Sequence, residues 1–375
     1  MYKVKTSILL MLFGLGSISA ACNKNKEKED SETEAFDRKA MLSNITTQYI
    51  LPAYANYDSK TSNLLQAVAD FNNSDNINAL NELRNNLVAT ANAWQSIAFL
   101  EFGPAENIGL RSQSNLYPCD TNQINSNISN NNYNLAAASN FSAKGIQAID
   151  YLLNQPSQTD TNLVLTFVNN ANASQYLLTL ATELNSNANT VKVAWDSYAT
   201  TFIENNSNNA QGSAVSDLVN ALSAHYETFV RKGKLGIPLG VFNGFSQTTL
   251  PEKAELAYGG QSFEMLYTAI DAIESLINGL SFETKINGLG LDDYMNFVAA
   301  KNGNENLSTS LSAQLEIIKD HANNYMNSNM AEAIANQKTS LDDMYQDMQK
   351  LVPLIKVDLT SALGILITYQ DNDGD

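Results

Sequence analysis

An all-α fold of two helical-bundle domains is the architecture this sequence predicts, and three observations carry that expectation. The seven prolines stand at 52, 104, 118, 156, 238, 251 and 353, which leaves 157–237 and 252–352 without any. Proline breaks helix interiors, so proline-free tracts of this length, rich in Ala, Leu, Asn and Gln, favour long helices over many short strands. Apolar residues then recur at three- and four-residue intervals, the period of one helix face. Finally, a polar stretch from Glu204 to Ser213, low in hydrophobicity, divides the chain after its leader into helical halves of similar size.

The first segment reads as a targeting leader. Lys3 and Lys5 precede an apolar run from about Ile8 to Ile18, then Ser19-Ala20-Ala21-Cys22. A basic start, a short apolar region and small residues before a cleavage point form a secretory signal peptide over 1–21. The apolar run falls short of the roughly 20 residues of a membrane span. The residues before Cys22 resemble a bacterial lipobox, with Ser19 where Leu is usual, which implies lipid attachment on Cys22 and a membrane partner. Residues 22–36 are charged and almost free of apolar side chains at first, as expected of a disordered tether. With Cys22 acylated, Cys119 has no disulfide partner.

Residues 37–208 are expected to form the N-terminal bundle. Leu64, Leu65, Val68 and Phe71 follow helical spacing until Asn72-Asn73-Ser74-Asp75 interrupts it; Leu80, Leu83, Leu87, Ala91, Trp94 and Ala98 resume it. Residues 209–375 are expected to form the C-terminal bundle, with Leu218, Leu222, Tyr226 and Phe229, then Leu266, Ile270, Ile273 and Ile277, then Met344 to about Tyr369 on apolar faces. Gly103 to Pro118, Gly233 to Pro251 and Gly279 to Gly290 read as irregular connections. Short polar loops between long helices suit antiparallel bundles. The terminal Asp371-Asn372-Asp373-Gly374-Asp375 opens like a calcium loop but lacks the later Glu, so it reads as an acidic tail.

Composition excludes several functions. Of 375 residues, 22 are Lys or Arg, 39 are Asp or Glu, 2 are His and 2 are Cys, for a net charge of -17. Cleavage of the leader removes Lys3 and Lys5 and leaves 20 basic against 39 acidic residues. Two cysteines cannot build a disulfide framework or a thiolate zinc site. The acidic balance argues against nucleic acid as a partner. The abundant Asn reads as surface composition. No His-Glu-x-x-His, phosphate loop, dinucleotide fingerprint or Gly-x-Ser-x-Gly elbow is present. His225 is expected in a core or on a helix surface, and His321 in solvent.

A set of strings stands in fixed order: Trp94-Gln95, Glu101-Phe102-Gly103-Pro104-Ala105, Leu116-Tyr117-Pro118, Gly145 to Leu153, Lys234-Leu235-Gly236-Ile237-Pro238-Leu239, Glu255 with Ser262 around Gly259-Gly260, Gly290 to Tyr294 and Tyr369 to Asp375. Together they resemble the imelysin family, also called the M75 peptidase family. The resemblance implies two helical bundles with a functional site between them, in an envelope protein linked to iron uptake. Some members are described as metallopeptidases. The family hallmark is Gly-x-His-x-x-Glu, whose His and Glu project from one helix face so that both reach a metal. Here those positions are Gly145, Gln147 and Asp150.

Gln lacks the imidazole nitrogen that suits iron or zinc, and Asp is one methylene shorter than Glu. Gln147 and Asp150 therefore stand either as weak oxygen ligands, suited to calcium or magnesium together with other carboxylates, or as a hydrogen-bonded pair near a domain interface; a metal ion, iron or calcium, is the cofactor expected. They are poor candidates for activating a metal-bound water. Trp94 and the Phe102-Gly103-Pro104 turn read as packing before binding, while Glu101, Glu255 and Ser262 are candidates to line the same cleft. Arg231, beside Lys232 and Lys234, faces an anion or balances acids. The function expected is a lipid-anchored outer-membrane envelope protein, a non-catalytic binding component in iron or metal acquisition that meets a metal or iron complex and envelope uptake partners. The alternatives are an M75-type metallopeptidase and a peptide- or glycan-binding module with a degenerate metal site.

Overall fold

The computed structural model describes residues 35–74 and 76–370. The leader, Cys22, most of the tether and the final acidic run fall outside the described residues. The rest is all-α, as its periodicity predicts. Helix α1 (Arg38–Asn44) passes through a π-helical stretch, Ile45–Ile50, into α2 (Leu51–Ser74). A short connection then turns the chain into α3 (Ile77–Gln95), which packs along α2. Asn76, directly after the polar run that breaks the apolar period, caps α3 by accepting the N–H of Ala79.

The connection expected from Gly103 to Pro118 contains two short helices, α4 (Pro104–Ile108) and α5 (Leu110–Ser114). After α6 (Thr121–Asn130) come α7 (Gly145–Leu153), α8 (Asp160–Asn169) and the long α9 (Ala171–Glu204). The boundary proposed at 208/209 falls between α9 and α10 (Ala214–His225). Helix α10 continues as a π-helix over Tyr226–Gly236, followed by α11 (Ser262–Ile277) and α12 (Leu291–Phe297). A two-residue hairpin pairs β1 (Lys301–Asn302) with β2 (Glu305–Asn306). It leads to α13 (Leu307–Asn323), α14 (Met330–Pro353), a π-helical turn over Leu354–Leu359 and α15 (Thr360–Ala362).

Phe36 onward forms one compact unit, and one apolar cluster runs through both halves. In the first half α2 lies against α3 and α9, with Trp195 of α9 packed among Tyr54, Phe102, Tyr198 and Phe202. In the second half α11, α13 and α14 pack in sequence, and α11 also rests on α3. Phe36 stacks on Tyr294 of α12 with ring centroids 4.4 Å apart, tying the start of the described chain to the second half. Among the described residues no helix is long and apolar enough to cross a membrane.

The abundant Asn is not only surface composition. Asn76, Asn170 and Asn329 cap helices, while Asn115, Asn127, Asn140 and Asn220 are buried and hydrogen-bonded. The amide carries both donors and an acceptor, so it satisfies backbone and side-chain groups that a charged residue could not at the same burial.

Candidate functional site

A glycine builds the site. Gly145 begins α7 with φ of 72°, and a Cβ there would stand 2.2 Å from the carbonyl oxygen of Ser114. Only a residue without a side chain lets the start of α7 press onto the end of α5. That approach puts Asn115 beside Gln147, whose Nε2 donates to Asn115 Oδ1 at 2.7 Å. Asn115 Nδ2 in turn donates to Glu255 Oε1 at 2.6 Å.

Glu255 lies in the segment that follows the π-helix and lines up along α7. Its Oε1 also accepts from Gln95 Nε2 at 2.8 Å, and its Oε2 pairs with Lys234 Nζ. Lys234 Nζ donates to Gln95 Oε1 at 2.8 Å, closing a ring of Gln95, Lys234 and Glu255 in which every member is buried. Burial lowers the Lys234 pKa, and the adjacent Glu255 carboxylate opposes that shift.

Gln147 uses its other end on the same segment. Its Oε1 accepts the backbone N–H of Leu256 at 2.9 Å. Leu256 is fully buried and has φ of 47°, a left-handed conformation that a branched apolar residue seldom adopts. Two residues on, Asp150 Oδ2 accepts from Tyr258 N at 3.1 Å and Oδ1 from Gly259 N at 2.9 Å, with Asn154 Nδ2 also donating to Oδ1 at 3.0 Å. Burial raises the Asp150 carboxyl to about 7, and these three donors oppose the rise. One face of α7 thus fastens a three-peptide stretch of the second half.

The remaining candidates divide. Gly145, Gln147, Asp150 and Glu255 converge. Trp94 is in the core against Tyr57, and it meets the guanidinium of Arg111 5.8 Å from its ring centroid. Glu101 accepts the backbone N–H of Arg111 at 3.3 Å; its pKa is raised by burial and held back by Arg111. Ser262 is buried at the first turn of α11, and its hydroxyl has no hydrogen-bond partner among the described residues. His225 is a core residue: Nδ1 lies 3.0 Å from Arg111 Nη2, and burial holds its pKa well below the usual value. His321 is half-buried rather than solvated, with Nε2 3.0 Å from Asp347 Oδ2. Burial pushes the Cys119 thiol up to about 12, away from nucleophilic use. Asn115, Gln95 and Lys234 are central residues that sequence reasoning did not single out. Each adjoins or lies in a string that did carry a signal.

The donor set is a poor match for a resident metal. Gln147 and Asp150 have no oxygen or nitrogen without a protein partner, and Glu255 is held by Gln95, Asn115 and Lys234. Among the described residues no group of three or more His, Cys, Asp or Glu is placed to hold a metal ion. Calcium asks for six to eight oxygens, and the usual zinc and ferrous sites include imidazole or thiolate donors that this set lacks.

Comparison with known proteins agrees with this fold. The family described as Imelysin, Peptidase M75, matches residues 50–354. The chain belongs to the imelysin family. Two solved structures share the fold of this imelysin-family chain. One is an imelysin-like protein from Psychrobacter arcticum 273-4, at 17% identity and TM-score 0.67, covering 88% of this chain and 97% of that one. The other is described as a "putative iron-regulated protein A precursor" from Parabacteroides distasonis ATCC 8503, at 16% identity and TM-score 0.70, covering 89% and 97%. No curated protein matches.

Proposed function

We propose that this imelysin-family chain is a lipid-anchored protein of the cell envelope that serves as a non-catalytic binding component in iron or other metal acquisition. The leader and Cys22 support the anchor at the outer membrane, and the iron-regulated description of one structural neighbour supports the process. The observation that carries the non-catalytic part is the use made of the motif. The Gln147 amide and the Asp150 carboxylate are spent on backbone N–H groups of Leu256, Tyr258 and Gly259. A peptidase of this type needs those atoms to hold a metal and its water. Metal would then reach this chain as a complex or through a partner protein, without ligation by the motif.

Elemental analysis of the purified mature domain, followed by titration with ferric citrate and with hemin, tests the reading. The expected result is no stoichiometric bound metal and saturable binding of one iron complex. Failure of both complexes to bind defeats the role in iron acquisition. Metal retained by Gln147→His, and not by the natural chain, is expected if only the ligand chemistry was lost. Chelator-sensitive cleavage of an unfolded protein, abolished in Asp150→Ala, would identify a metallopeptidase instead.

A further inference from the structure

The stretch that Gln147 and Asp150 fasten also floors a cavity of about 760 Å³, whose lining joins Tyr258, Gly259 and Gly260 to Met326, Asn327 and residues 329–332. That volume lies within the usual range of ligand pockets. Its lining carries Glu252, Glu264 and Glu332, and among the described residues that line it there is no Lys, Arg or His. Glu264 Oε1 accepts from Asn92 Nδ2 at 2.6 Å, which fixes the side chain without neutralising it. A cleft lined by one sign of charge concentrates the field within it and draws the opposite charge.

The rest of the lining has a second chemistry. Met326, partly exposed, offers a flexible thioether that fits an irregular aliphatic chain, and Met330 behind it is packed into the core. Tyr258, partly exposed in the lining, has its ring set edge-on to Tyr151 at 5.1 Å, and an aromatic ring is a partner for an ammonium or guanidinium. Gly260, at φ of 80°, turns the backbone beside Asn329, whose Cβ a side chain there would meet at 3.4 Å. Carboxylates beside an apolar, aromatic wall complement a side chain with an aliphatic stem and a cationic head, which is the chemistry of Lys and Arg.

We propose that this cavity docks a basic, partly apolar segment of a partner protein, with lysine or arginine side chains entering between Tyr258 and Met326 toward Glu264 and Glu332. The proposal rests on the reading of this chain as a binding protein and names the chemistry of its partner. The motif residues then act as positioning residues, because they hold the floor against α7.

The test uses the mature protein and a fluorescein-labelled hexapeptide alternating lysine and leucine, in about 0.15 M salt, where the Debye length is about 8 Å and distant charges are screened. The expected result is saturable binding that an acidic peptide of equal length does not compete. Ala331→Arg places a cation on an exposed position of the rim without touching the core, and Glu264→Gln removes a lining charge. Each is expected to weaken binding about tenfold, from one added repulsive contact in the first and one lost attractive contact in the second. Glu305→Gln, on the exposed hairpin, changes the net charge equally and is expected to leave binding within about twofold. Equal weakening by all three variants, or indifference to Ala331→Arg in protein with unchanged helical melting, overturns the proposal. A chain that binds an iron complex but not the peptide keeps the acquisition role and loses this docking site.

Discussion

The side-chain oxygen of Gln147 accepts the backbone N–H of Leu256 at 2.9 Å across 109 positions of sequence. It joins the first half of the chain to the second through one amide, and the other end of that amide is occupied by Asn115. Gln147→Ala leaves a buried N–H and a buried carbonyl without partners. A destabilisation of roughly 1–3 kcal/mol is expected in denaturant unfolding. Faster amide exchange at Leu256, Tyr258 and Gly259 should accompany it, with exchange in α9 tracking only the global change.

The Lys234–Glu255 pair is buried on both sides, at 2% and 1% side-chain exposure. Removing one partner strands the other charge, so Lys234→Met and Glu255→Gln are each expected to destabilise by about 3–5 kcal/mol. The double variant should lose less than the sum of the two, because no uncompensated charge is left. A double-mutant cycle in urea checks this, and strict additivity would contradict the pairing.

Asp150 makes stability depend on pH. Its folded-state pKa of about 7 exceeds the ordinary aspartate value of 3.8, so the folded chain holds the proton longer than the unfolded one. That contribution is complete below about 4 and is lost as pH rises through 7. Asp150→Asn is expected to destabilise overall, since an amide cannot accept every donor that the carboxyl does. Its slope of stability against pH between 4 and 7 should be flatter, so the advantage of the natural chain shrinks toward neutrality. Urea midpoints at pH 4, 5.5 and 7.5 measure it; parallel slopes would show that Asp150 does not titrate in this window.

Gly145→Ala asks for a Cβ 2.2 Å from the Ser114 carbonyl oxygen and a left-handed φ. The backbone strain alone costs about 1–3 kcal/mol, and the clash adds to it. Lower melting temperature and loss of the Gln147–Asn115 contact are expected, whereas Gly109→Ala, open on all sides although also at positive φ, is expected to pay only the strain. Equal melting temperatures for the two variants would show that the close approach to Ser114 does not matter.

Much of the helical layout was legible in the sequence. The proline-free tracts became long helices, and the apolar positions Leu80, Leu83, Leu87, Ala91 and Trp94 are buried as their spacing required. The short helices inside Gly103 to Pro118 were not legible, because one-turn elements leave no period to read. The sequence left His225 open between core and surface, and it hid the burial of several Asn residues, since a polar residue enters a core only when partners from elsewhere in the fold satisfy it. The motif strings located Gly145, Gln147, Asp150 and Glu255 but not the residues that join them. Asn115 precedes one string and Lys234 begins another, yet neither position states what it will touch.

Local pattern by itself determined the all-α class, the helix positions and the family, because helical period and ordered strings are properties of neighbouring residues. The tertiary structure alone decided what the altered motif does. Whether Gln147 and Asp150 face open space or another strand of chain depends on contacts across more than a hundred positions. Those contacts arise from the packing of α7, the π-helix and the segment from Glu255 to Gly259. That packing turned a pair of candidate ligands into acceptors for backbone N–H groups, for the physical reason that buried donors must be satisfied and these side chains were the acceptors in reach.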